Sequence, residues 1–204
     1  MKLLYIGTLN QGGTCLMRGE ILKRILYEYE TVYIDTRYRF QKFNRIKQSI
    51  GFRYKHGPLV NRVNQSIITQ ISPHVRFDLI WVDKAIYLNA ETTTLLRSKT
   101  SKLVHYTPDT AFYANRSRFF YENINKYNYL ITTKSFEVDN YLEYIPSQKL
   151  IKCTQGYNPR IHKPYNEFDE KDCDLAFIGL HEPHREAMLQ TILDNGFSLK
   201  LGGV

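Results

Sequence analysis

Short apolar runs alternate with stretches whose apolar positions recur every three or four residues, almost from end to end. Residues 2–7 (KLLYIG) read as a buried strand that ends in a glycine loop. Residues 15–28 then carry Leu16, Ile21, Leu22, Ile25 and Leu26 on one helical stripe. A second strand is expected at 31–35 (TVYID), rich in β-branched and aromatic side chains. Val60, Val63, Ile67, Ile68 and Ile71 mark a helix over 60–71, stopped by Pro73. The alternation continues with strands at 78–82, 102–106, 129–132 and 149–152, separated by helices at 91–97, 118–126 and 136–144. Strands spaced by helices of this length predict βαβ units, hence an α/β fold whose parallel sheet has helices on both faces.

Residues 154–172 break the rhythm with Gly156, Pro159, Pro164 and the charged FDEKD, and read as an interdomain connection. The pattern then restarts: a strand at 174–179, a helix at 182–195 stopped by Gly196, and a strand at 198–201. The expected organisation is therefore a first domain over 1–153, a connection over 154–172, and the start of a second domain over 173–204. A lone strand–helix–strand unit cannot cover both faces of its sheet and would expose Phe177, Ile178 and Leu199. Either it adds to the edge of the first sheet or the chain is cut short; the expectation is a truncated second domain.

Composition narrows the class. Hydrophobic residues make up 43% of the 204, enough for a sizeable core. MKLLYIG is too short an apolar run for a signal peptide, and no run approaches a membrane span of ~18 residues; the expected location is the cytoplasm, with a peripheral position at the inner face of the membrane as the alternative. Cys15, Cys153 and Cys173 have no metal-type spacing and fit a reducing setting as small apolar residues. Net charge is +8, and its placement matters more than its size. Between Asp35 and Asp78 there is no acidic residue, while Arg37, Arg39, Lys42, Arg45, Lys47, Arg53, Lys55, Arg62 and Arg76 all fall there. Tyr38, Phe40, Phe43, Phe52 and Tyr54 are interleaved with them. The segment reads as a solvated surface with aromatic stems packed inward, or as a surface for anionic lipid or a lipid-linked acceptor. Nucleic acid ranks last, because no recognised module surrounds the charge.

Three segments carry candidate chemistry. The loop from Gly7 to Thr14 joins the first strand to the first helix, where glycines let backbone approach a phosphate and a helix N-terminus offers N–H groups. Its Gly12, Gly13 and Thr14 match neither a P-loop nor GxGxxG, so an ordinary tight turn is the other reading. KLVHYTPDT puts His105 near a strand's carboxyl end and Asp109 just beyond, the edge where open α/β sheets bind ligands. His105 is a candidate acid–base group there, or else a core histidine; Asp109 is equally a turn and capping residue. FIGLHEPHR places Gly179 at a strand end and Arg185, a planar phosphate-matching donor, in the next helix's first turn. The HxxH of His181 and His184 lacks further ligands nearby, so no metal site is expected.

Taken in order, GTLNQGGT, VHYTPDTAFY, YNYLITTKSFEVDNYLEY, GYNPRIHKPY and DLAFIGLHEPHREAML resemble the spore-maturation (CgeB-type) glycosyltransferases, a branch of the GT-B superfamily. The most specific piece is GYNPRIHKPY followed shortly by DLAFIG, which in such proteins marks the crossing into the second domain. The resemblance implies two Rossmann-like domains and transfer of a sugar from a nucleoside diphosphate sugar to a hydroxyl acceptor; the acceptor is left open, a lipid-linked or polysaccharide hydroxyl among the alternatives. It implies no metal and no cofactor besides that donor substrate. Gly12, Gly13 and Thr14 would lie near the donor phosphates, His105 and Asp109 near the transferred sugar, and Gly179 and Arg185 on the donor side. Most of the second domain is missing from the match, so this chain alone is expected to be a poor enzyme.

Overall fold

The computed structural model describes residues 1–37, 44–84, 86–165 and 167–203. The chain divides into two compact units, Met1–Gly156 and Tyr157–Val204. The first runs β1 (Lys2–Gly7), α1 (Thr14–Ile25), β2 (Glu30–Asp35), α2 (Arg45–Tyr54), α3 (Pro58–Gln70), β3 (Leu79–Asp83) and α4 (Ala90–Lys99). It continues with β4 (Leu103–Thr107), α5 (Arg118–Asn123), β5 (Tyr129–Thr132), α6 (Val138–Leu142) and β6 (Leu150–Lys152). Among the described residues these strands form one six-stranded sheet in the order β2-β1-β3-β4-β5-β6, every pair parallel. The unit is a Rossmann-like α/β fold, as the alternation of apolar runs predicts.

Right-handed crossovers decide which helix covers which face. The chain steps from β1 outward to β2, then back past β1 to β3 and onward, so α1 lies on one face and the later helices on the other. On the later-helix face Leu4, Ile6, Ile80, Val82, Leu103 and Leu130 are all at most 1% exposed. They pack in one cluster with Val60, Val63 and Ile67 of α3, Leu96 of α4, and Phe119 and Phe120 of α5. Each such side chain contributes about 1.5–3 kcal/mol through burial. The α1 face is built on tyrosines: a Cβ added at Gly19 would lie 2.9 Å from the Tyr33 ring and 3.1 Å from that of Tyr5. Glycine there lets the helix backbone rest directly on those rings. Farther along this face cover thins, and Tyr129 and Ile151 are 41% and 43% exposed.

Helix α2 is an element the apolar pattern did not announce. Asn44 caps it, its side chain accepting from Lys47 N at 2.9 Å. It rests on α3 through Gly51, whose added Cβ would fall 2.8 Å from Leu59 Cδ2.

The second unit holds β7 (Leu175–Ile178), α7 (Pro183–Asp194) and β8 (Leu199–Gly202), with β7 and β8 parallel. Asp174 ties the strand starts together, accepting from Ser198 N at 2.8 Å. Gly203, at φ +116°, has no room for a side chain, since a Cβ would sit 2.3 Å from the Gly179 carbonyl oxygen. No residue of α7 is buried, and Ile178 and Leu201 are 84% and 65% exposed.

Candidate functional site

The strand order reverses between β1 and β3, and at such a switch point the loops after neighbouring strands diverge and leave a crevice at the carboxyl edge. A cleft of about 400 Å³ occupies this place in the first unit. Gly13, Thr14 and Asn10 from the first loop, Lys84 after β3, and Thr107 and Asp109 from the end of β4 line it. Arg37, after β2, and Phe52 of α2 complete its rim.

The first loop is shaped for backbone approach. Gly12 has φ +76°, a conformation that glycine adopts without strain. Gly13 N donates to the Asn10 carbonyl at 2.9 Å, and a Cβ at Gly13 would lie 2.9 Å from that same oxygen. Gly13 is the N-cap of α1, no side chain caps it, and the first turn has no acidic residue. The first N–H groups of α1 are therefore left to solvent or an anion, and the helix dipole favours the anion.

Lys84 was not singled out by the sequence, because a Lys after a strand-ending Asp looks like an ordinary surface residue. The structure puts its backbone at φ 56° and its Nζ 2.8 Å from Asp109 Oδ2. Both side chains remain about a third exposed, at 33% and 36%. The pair spans the ends of β3 and β4. Asp109 N also donates to Thr107 Oγ1 at 3.2 Å, which fixes the turn that carries the carboxylate.

Beneath α1 lies a charge network that the sequence also concealed. Asp83, with a fully buried side chain, accepts from Arg18 Nε at 2.6 Å. The Tyr5 hydroxyl sits 2.7 Å from Asp83 Oδ2 and 2.6 Å from the Cys15 carbonyl, so its single proton serves one acceptor at a time. Cys15 Sγ lies 3.3 Å from Asp83 Oδ1. Burial first, then the Asp83 charge, pushes the Cys15 thiol up to about 11, which keeps it a thiol and a poor nucleophile near neutrality. Burial pulls the Arg18 guanidinium down, but the hydrogen bond and charge of Asp83 outweigh it. Arg18 also stands 4.3 Å over the Tyr106 ring. The network pins the first turn of α1 to the end of β3 and so fixes the cleft floor.

Two expectations need correction. His105 does not line the cleft: it is 2% exposed, on the core face of β4, with ring centroids 5.0 Å from Phe120 and 5.1 Å from Tyr127. Burial holds its pKa down at about 3, and its Nδ1 is buried without a partner. A neutral ring sealed in the core is no acid–base group for a ligand in the cleft; of the expected pair, only Asp109 reaches it. Lys55 is the second correction. It is 9% exposed at the left-handed end of α2, its Nζ turned back onto the Phe52 carbonyl, and burial lowers its pKa. It does not belong to the basic surface. Arg45, Lys47 and Arg53 are exposed on α2, and Arg37 reaches the cleft, whereas Arg39 and Lys42 lie outside the described residues.

In the second unit Gly179 and Arg185 line a groove of about 380 Å³. The Arg185 guanidinium is partly engaged: Nη1 donates to the Leu180 carbonyl at 3.1 Å and Nε lies 3.4 Å from Glu182. His181 and His184 are exposed and pair with Glu186 and Glu182. Among the described residues no three His, Cys, Asp or Glu side chains group as metal ligands. No family model matches the chain, and no curated protein matches it.

Proposed function

We propose that the chain forms the acceptor-side domain and the opening of the donor-side domain of a GT-B type glycosyltransferase similar to the CgeB-type enzymes. The reaction moves a sugar from a nucleoside diphosphate sugar to a hydroxyl of a lipid-linked or polysaccharide acceptor. The observation that carries the reading is the cleft at the strand-order switch point, where the uncapped N-terminus of α1, Lys84 and Arg37 meet. In transfer, the bond from the anomeric carbon to the donor phosphate oxygen breaks, and a bond to the acceptor oxygen forms. Lys84 and the α1 N–H groups neutralise charge on the leaving diphosphate. Asp109, once Lys84 has turned to the phosphate, takes the proton that the acceptor hydroxyl loses.

The test is calorimetric titration of the chain with UDP-, GDP-, ADP- and dTDP-sugars, paired with a transfer assay on the protein at its native length. One donor is expected to bind, and Lys84→Ala to weaken it by on the order of tenfold, the equivalent of ~1.4 kcal/mol for a charge-assisted contact. Gly13→Glu, which fills the loop and adds a negative charge, is expected to abolish binding. Absence of binding by every donor, together with no transfer or donor hydrolysis, overturns the reading.

A further inference from the structure

We infer that α2 is an interfacial helix that docks the first unit onto an anionic lipid surface. Ile46, Ile50 and Tyr54 recur at i, i+4 and i+8 and so share one side of α2. They are 71%, 50% and 66% exposed, a continuous apolar row turned to solvent. Single exposed apolar residues are ordinary on protein surfaces; a row of three on one helix is the pattern that marks an interaction surface. An adjoining side of α2 packs on α3, where Gly51 is buried against Leu59.

The charges around the row identify the occupant. On the helical projection Lys47 and Arg53 flank it on either side, and Arg45 lies at the helix start. All three are exposed, and no ion pair joins them to another described residue. No carboxylate occurs anywhere from Thr36 to Phe77, so nothing nearby in the chain cancels these charges or repels a negative surface. An apolar row with cations along both borders is the arrangement of a helix lying in a bilayer's headgroup plane. The apolar side chains enter the acyl boundary and the cations meet anionic headgroups. A soluble polyanion such as RNA would satisfy the cations and leave the row in water, so lipid is the better fit.

Phe52, on another side of the same helix, lines the cleft. Docking through α2 therefore leaves the cleft on the side of the helix turned away from the bilayer, about one helix diameter from the headgroup layer. The inference does not depend on the sugar-transfer reading, because vesicle binding involves no sugar nucleotide.

The experiment is co-sedimentation of the chain with phosphatidylcholine vesicles, with and without phosphatidylglycerol. Binding is expected only to the anionic vesicles and is expected to fall as salt rises. Arg45→Glu/Lys47→Glu/Arg53→Glu is expected to lower partitioning by at least ~100-fold, about fivefold for each cation lost with the added repulsion of the glutamates on top. Ile46→Ser/Ile50→Ser leaves the charge unchanged and is expected to lower it at least ~10-fold, since each lost buried methylene weakens insertion. Both variants alter exposed positions, and circular dichroism verifies their fold. Failure of the unaltered chain to bind anionic vesicles overturns the inference. So does full vesicle binding by the serine variant, or serine-insensitive binding to single-stranded RNA in place of vesicles, because either makes the surface a purely electrostatic one.

Discussion

His105 and Asp83 show how the same strand edge gives residues opposite fates. Val82 and His105 are register partners on the core face, whereas Asp83 points to the α1 face and finds Arg18. The pKa of His105 falls from 6.5 in the unfolded chain to about 3 on burial. The unfolded state therefore binds a proton that the folded state refuses. The contribution of His105 to stability is complete above pH 6.5 and is lost as pH drops from there toward 3. Relative to a His105→Leu variant, the natural chain is expected to lose up to about 1.4 kcal/mol per pH unit across that window. Denaturant melts of both proteins from neutral pH down to pH 5 check this. Parallel curves would mean that the ring is hydrated or paired in solution. Gly19 is the second residue-scale case. Alanine normally stabilises a helix over glycine by about 1 kcal/mol, but here its methyl would meet the rings of Tyr33 and Tyr5. Tyr5 is held by its hydroxyl in the Asp83 network and cannot give way. Overpacking of ~1–3 kcal/mol should win, so Gly19→Ala is expected to lower the denaturation midpoint. A raised midpoint would show that α1 can lift off the sheet.

At the scale of elements, the strands were legible and one helix was not. Strands buried on both faces read as continuous apolar runs, and KLLYIG, DLIWV and KLVHY each contain or overlap a core strand within a residue or so. Helices with a buried stripe were equally plain, as α3 shows through Val60, Val63 and Ile67. Helix α2 escaped because its apolar row faces outward and its packing face is a glycine, so the usual stripe is inverted. The signals that would have found it are Asn44 as an N-cap and the i, i+4, i+8 spacing of Ile46, Ile50 and Tyr54. The cleft was half legible. Gly13, Thr14 and Asp109 announce themselves by their loops, but Lys84 acquires meaning only when β3 and β4 lie side by side. Asp83, Arg18 and Tyr5 are likewise far apart in the chain and join only through the sheet order.

Across the whole molecule, burial is concentrated in the first unit. The second unit has a parallel strand pair and a helix with no buried residue, and two strands with one helix supply little apolar cover. Hydrogen exchange is accordingly expected to protect amides in β1, β3 and β4 far longer than those in β7, α7 and β8. Equal protection in both would mean that the exposed side chains of the second unit are covered in solution. The pairing of Lys84 with Asp109 has a consequence at this same scale. The cleft carries its own counter-ion, so an anion entering it performs an exchange: it displaces a carboxylate from the ammonium. The displaced Asp109 is then an unmatched acceptor beside a newly filled site. On the sugar-transfer proposal, the diphosphate donor would be the anion that makes this exchange, and the acceptor hydroxyl the donor that Asp109 would then meet.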